Sequence, residues 1–98
     1  MKHIHINYKV HEKKIDAAKS VIREFIEQIR KNESGTLSYS SFQSKENFSL
    51  FTHIITFENE KAEEIHRNSI YIKKFVDTLY PICESQPVFT EVNLIASK

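Results

Sequence analysis

His66 is the side chain best placed to move a proton at neutral pH. Around it, in the stretch FENEKAEEIHRNSIYIKKFVDTL, apolar or small residues fall at Ala62, Ile65, Ser69, Ile72, Val76 and Leu79 in alternating steps of three and four. That spacing is one stripe of an amphipathic helix. His66 sits at the edge of the stripe, one turn past Ala62 and three residues before Ser69, so the three share a face that should look inward. An imidazole with a reference pKa of about 6.5, held in a dry neighbourhood, can take up a proton near pH 7. The same position also suits a structural histidine bonded to a strand carbonyl or to a partner chain, and both readings stay open.

Other candidates follow from alternation. His3, His5 and Asn7 share one face of an amino-terminal strand. If that strand pairs antiparallel with the third one, residues 3–5 lie opposite residues 55–57 and hence near His66, with His53 closer to Asn7. Asn7 would then orient a substrate, and His5 and His53 would contact it. An H-x-H pair with a third histidine from a helix is also a pattern for zinc, but no carboxylate or thiolate is placed to complete the set, so no metal is expected. Tyr39, Phe42, Phe51, Phe57, Tyr71 and Phe75 are enough rings to line a flat apolar pocket, and equally enough to fill a small core. Tyr71, at the boundary of its helix face, can turn its hydroxyl to a ligand or to solvent. Cys83 has no basic neighbour and reads as packing. No Ser-His-Asp spacing is present, and one glycine in the whole chain rules out glycine-rich phosphate and dinucleotide loops in their usual form.

The elements that must position these groups alternate strand and helix. Residues 3–10 read as a strand, and residues 12–32 as a long helix with Ile15, Ala18, Ile22, Phe25 and Ile29 inward and Ile26 widening the stripe. Gly35 follows, in a place where a helix end favours positive φ. Residues 37–44 and 48–57 form a hairpin of strands, and the organising helix runs to about residue 84 with a break near Asn68 and Ser69. Pro87 opens a last strand over residues 88–95. The order βαββαβ predicts an α+β, ferredoxin-like fold over residues 1–98, an antiparallel sheet ordered 4-1-3-2 with both helices on one face. Strands three and four are apolar on both sides. A second sheet face carrying Ile4, Ile6, Tyr8, Leu50, Ile54, Val88, Val92 and Leu94 would therefore be buried against another copy of the chain, which predicts a homodimer.

Composition sets outer limits. Forty per cent hydrophobic and 28% charged residues with a net charge of +1 describe a soluble globular chain. Its lysines are spread as KK and RK pairs among acids, the pattern of solvated helix faces, so no nucleic-acid partner is expected. One cysteine cannot make an internal disulfide, and neither a signal peptide nor a membrane span is legible, which makes a cytoplasmic location the expectation.

Glu33, Gly35, Leu37 and Tyr39 in an E-x-G-x-L-x-Y run, the strand ending at Phe57, and Ala62, His66 and Ser69 in an A-x-x-x-H-x-x-S pattern together give the chain a resemblance to a known family. It resembles the antibiotic biosynthesis monooxygenases over nearly its whole length. The resemblance implies a dimeric α+β barrel and a pocket between each sheet and its own helices. It also implies oxygenation of phenols, quinols or polycyclic aromatics without flavin, metal or haem. The chain departs from many relatives in having Phe57 where they carry tryptophan and Ile55 where they carry glutamate. The family also includes haem degraders. Asn7 matches their first-strand asparagine, but His66 stands at their tryptophan position and Val76 at the position of their iron-binding histidine, so haem is not expected. The reading is a cofactor-free monooxygenase of a small aromatic, with His66 and Asn7 catalytic and His53, Phe57, Tyr39, Tyr71, Phe75 and His5 lining the pocket. The alternative is a non-catalytic ligand-binding or stress-related dimer on the same scaffold. Isomerisation of a small carbonyl compound ranks lower, since no polar lining for it is evident.

Overall fold

The computed structural model describes residues 1–98. The strand β1 (Lys2–Val10) leads through a short 3₁₀ turn at residues 12–14 into the helix α1 (Ile15–Asn32). A hairpin of β2 (Thr36–Gln43) and β3 (Leu50–Phe57) follows, then α2 (Glu60–Arg67), α3 (Ile70–Leu79), a 3₁₀ turn at residues 80–82, and β4 (Cys83–Val92). The strands form one antiparallel sheet in the order β2-β3-β1-β4, the ferredoxin-like arrangement read from the sequence.

Helix α1 forms because Ala18, Ile22, Phe25 and Ile29 recur in steps of four and three, and all four are buried. Burying a side chain such as Ile22 or Phe25 is worth roughly 1.5–3 kcal/mol each, which is what fixes the helix to the sheet. The break between the last two helices falls where it was expected. Asn59 caps α2 by accepting from the Ala62 amide at 2.9 Å, and Ser69 caps α3 by accepting from the Ile72 amide at 3.3 Å.

Three expectations are corrected. Strand β4 begins at Cys83, not at residue 88, and α3 stops at Leu79. The apolar spacing through Ile82 and Cys83 fits a helix, yet Pro81 sits in the 3₁₀ turn, and Cys83 pairs across the sheet with Val10. Tertiary pairing overrides the periodicity there. Gly35 has no positive φ. Its role is close approach: a Cβ at this position would stand 2.7 Å from the Ala62 Cβ, so the start of β2 and the helix α2 can touch only with hydrogen there.

The third correction concerns the sheet faces. β1 pairs Ile4 with Ile55, Ile6 with His53 and Tyr8 with Phe51, and cross-strand partners point the same way. Ile4, Ile6, Tyr8 and Val10 therefore lie under the helices and are buried, together with Phe51, His53, Ile55 and Phe57. The outer face carries His3, His5, Asn7, Lys9, Thr52 and Thr56 beside Phe42, Leu50, Ile54, Val88 and Val92. Of its apolar members, Phe42, Leu50, Ile54 and Val88 are 38–62% exposed.

Candidate functional site

His66 is buried in the last turn of α2, 6% exposed, and its ring is held from one side by a carboxylate. Glu33, the residue that closes α1, places its side chain inside the fold, with Oε1 2.9 Å and Oε2 3.1 Å from His66 Nδ1. Thr36, at the start of β2, donates its hydroxyl to Oε1 at 2.6 Å, and the Tyr71 hydroxyl, from the first turn of α3, donates to Oε2. Four elements thus converge on one buried carboxylate.

The geometry dictates the proton positions. A carboxylate only accepts hydrogen bonds, so the Nδ1 facing it carries the hydrogen, and neutral His66 keeps its lone pair on Nε2. Nε2 has no hydrogen-bond partner within the chain, while no buried side-chain nitrogen or oxygen lacks one. It follows that Nε2 is the ring nitrogen reached from outside the packed interior. Burial lowers the His66 pKa below its ordinary value, and the adjacent Glu33 charge pulls it part of the way back. The result is an oriented, neutral base. Burial and the bond to Glu33 together push the Tyr71 phenol up to about 12, so it acts as a donor throughout the neutral range.

Aromatic rings enclose this base. Phe57, Phe25 and Tyr39 lie 5.3, 5.7 and 5.9 Å from the His66 ring, centroid to centroid. Tyr39 links the base to a second buried chain: its hydroxyl meets His53 Nδ1 at 2.8 Å, and the Tyr8 hydroxyl meets His53 Nε2 at 2.8 Å. His53 is 1% exposed, and burial drives its pKa down to about 4. A neutral imidazole donates through one nitrogen and accepts through the other, so one tyrosine donates to His53 and the other accepts from it. Burial raises both phenols, Tyr8 and Tyr39, which stay protonated.

His66, Tyr39, His53, Phe57, Tyr71 and Phe75 are thus brought together between sheet and helices. Asn7 and His5 are not. The register opposite β3 is shifted by one residue from the expected one, with His5 beside Ile54, His53 beside Ile6 and Asn7 beside Thr52, so the His5 and Asn7 side chains lie on the outer face, across the sheet from His66. There Asn7 Oδ1 accepts from the Thr52 hydroxyl at 2.7 Å, and His3 Nδ1 meets the Thr56 hydroxyl at 3.0 Å. A cleft of about 550 Å³ lies beside Asn7, lined also by Lys9, Phe42, Leu50, Thr52 and Val88. No group of three or more histidine, cysteine, aspartate or glutamate side chains is arranged to hold a metal ion.

Glu33, Thr36 and Phe25 are the members of the site that sequence reasoning missed. Glu33 stands in a KNESG segment that reads as a solvated helix end. The available signal was its place at the head of the E-x-G-x-L-x-Y run, two residues before the glycine that lets α2 come close.

Solved structures with the same fold span the chain from end to end. An antibiotic biosynthesis monooxygenase superposes with a TM-score of 0.90 at 18% identity, covering 98% of this chain and all of that one. Candidate antibiotic biosynthesis monooxygenases from Caulobacter crescentus and Nitrosomonas europaea give TM-scores of 0.90 and 0.89 at 19% and 20% identity. They cover 97% and 98% of this chain and 90% and 100% of their own. No curated protein matches the sequence. The sequence model of the antibiotic biosynthesis monooxygenases matches residues 1–78, the part of the chain that holds Glu33, Tyr39, His53, His66, Tyr71 and Phe75, and the chain belongs to that family.

Proposed function

We propose that the protein is a monooxygenase that acts without flavin, metal or haem on a small phenol- or quinol-type aromatic. The observation that carries this reading is the buried Glu33 carboxylate fixing His66 through Nδ1, which leaves Nε2 as the base among aromatic rings. Membership of the family and the monooxygenase names of its structural neighbours support the reaction type.

The steps balance as follows. Nε2 takes the phenolic proton, and the anion passes one electron to O₂, giving a carbon-centred radical and superoxide. The two combine at a ring carbon that bears hydrogen, and the peroxide anion so formed takes up the proton held on Nε2. The resulting hydroperoxide loses water and leaves a carbonyl, so one oxygen atom enters the product and the other leaves as water. The water is made of the terminal OH of the hydroperoxide and the hydrogen of the ring carbon, and Nε2 is left neutral for the next turnover. In this scheme Tyr39 and Tyr71 contact the substrate through ring or hydroxyl, Phe57 and Phe75 pack against it, and His53 holds Tyr39 in place. The working unit is a cytoplasmic homodimer of one-domain chains, joined through the outer sheet face at Leu50, Ile54 and Val88.

A non-catalytic ligand-binding or stress-related dimer is the rival, and one observation favours it. The space beside His66 holds Phe25, stacked on Phe75 at 4.0 Å, and His66 is absent from the linings of five clefts of about 20 to 550 Å³. O₂ uptake by metal-stripped protein with a panel of quinols separates the two. Uptake above the autoxidation rate is expected, and uptake equal to the protein-free rate for every quinol supports the rival.

A further inference from the structure

Phe25 and Phe75 lie face to face, with centroids 4.0 Å apart and planes 12° from parallel. Both are buried, and together they occupy the space over the two inward histidines, Phe25 5.7 Å from His66 and Phe75 6.2 Å from His53. Phe25 also meets the rings of Tyr39 and Tyr71, so whatever stacks on it borders the Glu33 cluster.

Phe75 belongs to a short helix, α3, that also packs Tyr71 and Ile72 partly against the core. Only Phe75 and Leu79 of α3 are buried, and the helix starts afresh at the Asn68–Ser69 break. Two polar contacts join it to the α1 side: the Lys74–Glu24 pair at 2.8 Å, both side chains more than half exposed and of a type worth at most about 1 kcal/mol, and the bond of the Tyr71 hydroxyl to Glu33. Between α1 and α3 runs a crevice of about 20 Å³, lined by Phe25, Tyr71 and Phe75 among others. Through Tyr71 it reaches a side chain bonded to Glu33. It has room for little more than one water, whereas a cavity of roughly 150 Å³ takes up benzene.

We infer that the face of Phe25 is a subsite for one flat aromatic ring, the place that Phe75 takes in the structure. A planar phenol takes the place of Phe75 against Phe25, and α3 carries Phe75 outward along its seam with α1. The choice of a phenol rests on the monooxygenase reading; the exchange of ring for ring rests on the stacking geometry. A flat ligand restores the stacking that Phe75 gives up, and a puckered ring of the same size does not. The subsite therefore selects for planarity.

Calorimetry with phenol and with cyclohexanol tests this. Phe75→Ala is expected to bind phenol at least tenfold more tightly than the unmodified chain does, and at least tenfold more tightly than it binds cyclohexanol. Adding Phe25→Ala removes that preference. Phe51→Ala, which deletes another buried ring stacked on a neighbour, gives no such gain. In the unmodified chain, saturating phenol shifts the ring resonances of Phe25 and Phe75 and spares those of Phe51. If Phe75→Ala does not fold, Phe75→Leu takes its place, and a preference for phenol over cyclohexanol is again expected. Equal binding of the two alcohols, or an equal gain in Phe51→Ala, overturns the subsite and leaves the case for His66 as base intact. Selective phenol binding without O₂ uptake keeps the subsite and removes the monooxygenase.

Discussion

Glu33 and His66 meet at 2.9 Å across 33 residues of sequence, the carboxylate from the end of α1 and the imidazole from the last turn of α2. Both are desolvated, and Glu33, which also accepts from Thr36 and Tyr71, is the one side-chain partner of the His66 ring. Because the Glu33 charge works against burial in setting the His66 pKa, Glu33→Gln should lower that pKa further. An NMR titration of the His66 ring would follow this, expected below the ordinary histidine value in the unmodified chain and lower again in the variant. A rise in the variant would contradict the pairing.

Acid should destabilise the protein through its buried histidines. Burial lowers the pKa of His53 to about 4, so the folded chain keeps it neutral while an unfolded one takes up the proton near pH 6.5. Its contribution is complete above the unfolded value and is lost as pH falls through the folded value. Over that window, stability should drop by about 3 kcal/mol from this residue, at about 1.4 kcal/mol per unit. His66, also lowered, adds loss in the same direction. Urea denaturation from pH 7.5 to 4 reads the slope, and His53→Gln should flatten it.

Gly35→Ala should cost about 1–3 kcal/mol, because the new methyl group would meet the Ala62 Cβ at 2.7 Å and push α2 off the sheet. Ala62→Gly in the same chain removes the obstacle. The paired substitutions should therefore be less destabilising than the sum of the two alone, a coupling that denaturation of all four chains would measure.

The outer face supplies a prediction about assembly. Ile54 lies at its centre, paired with His5 on one side and with Ser40 on the other. Ile54→Lys should convert a dimer into monomers, since it forces an unpaired charge into the contact. Sedimentation at micromolar concentration decides it, and a monomeric unmodified chain would remove the dimer.

Strand order, hairpin and the helix break at Ser69 were all legible in residue patterns, because alternation and capping act locally. Parity between strands was not. Each strand shows two alternating sets, but nothing local says whether Ile4 faces with Ile54 or with Ile55, and a one-residue change of register exchanges the faces. The pairing of Ile4 with Ile55 puts Ile6 beside His53 and sends Asn7 and His5 to the far side. Glu33 was hidden for a related reason. Its burial depends on how closely α2 approaches β2, a tertiary fact that one glycine and one alanine make feasible.

The most direct test of His66 as the base is the pH dependence of quinol-driven O₂ uptake by metal-stripped protein, compared with His66→Ala. Because burial holds the His66 pKa below its ordinary value, uptake by the unmodified chain should rise with pH through an inflection below pH 6.5. His66→Ala should lose roughly 10²–10⁴-fold of the rate, the usual scale for a general base, together with that inflection. Equal rates and equal pH profiles in the two chains would contradict the account.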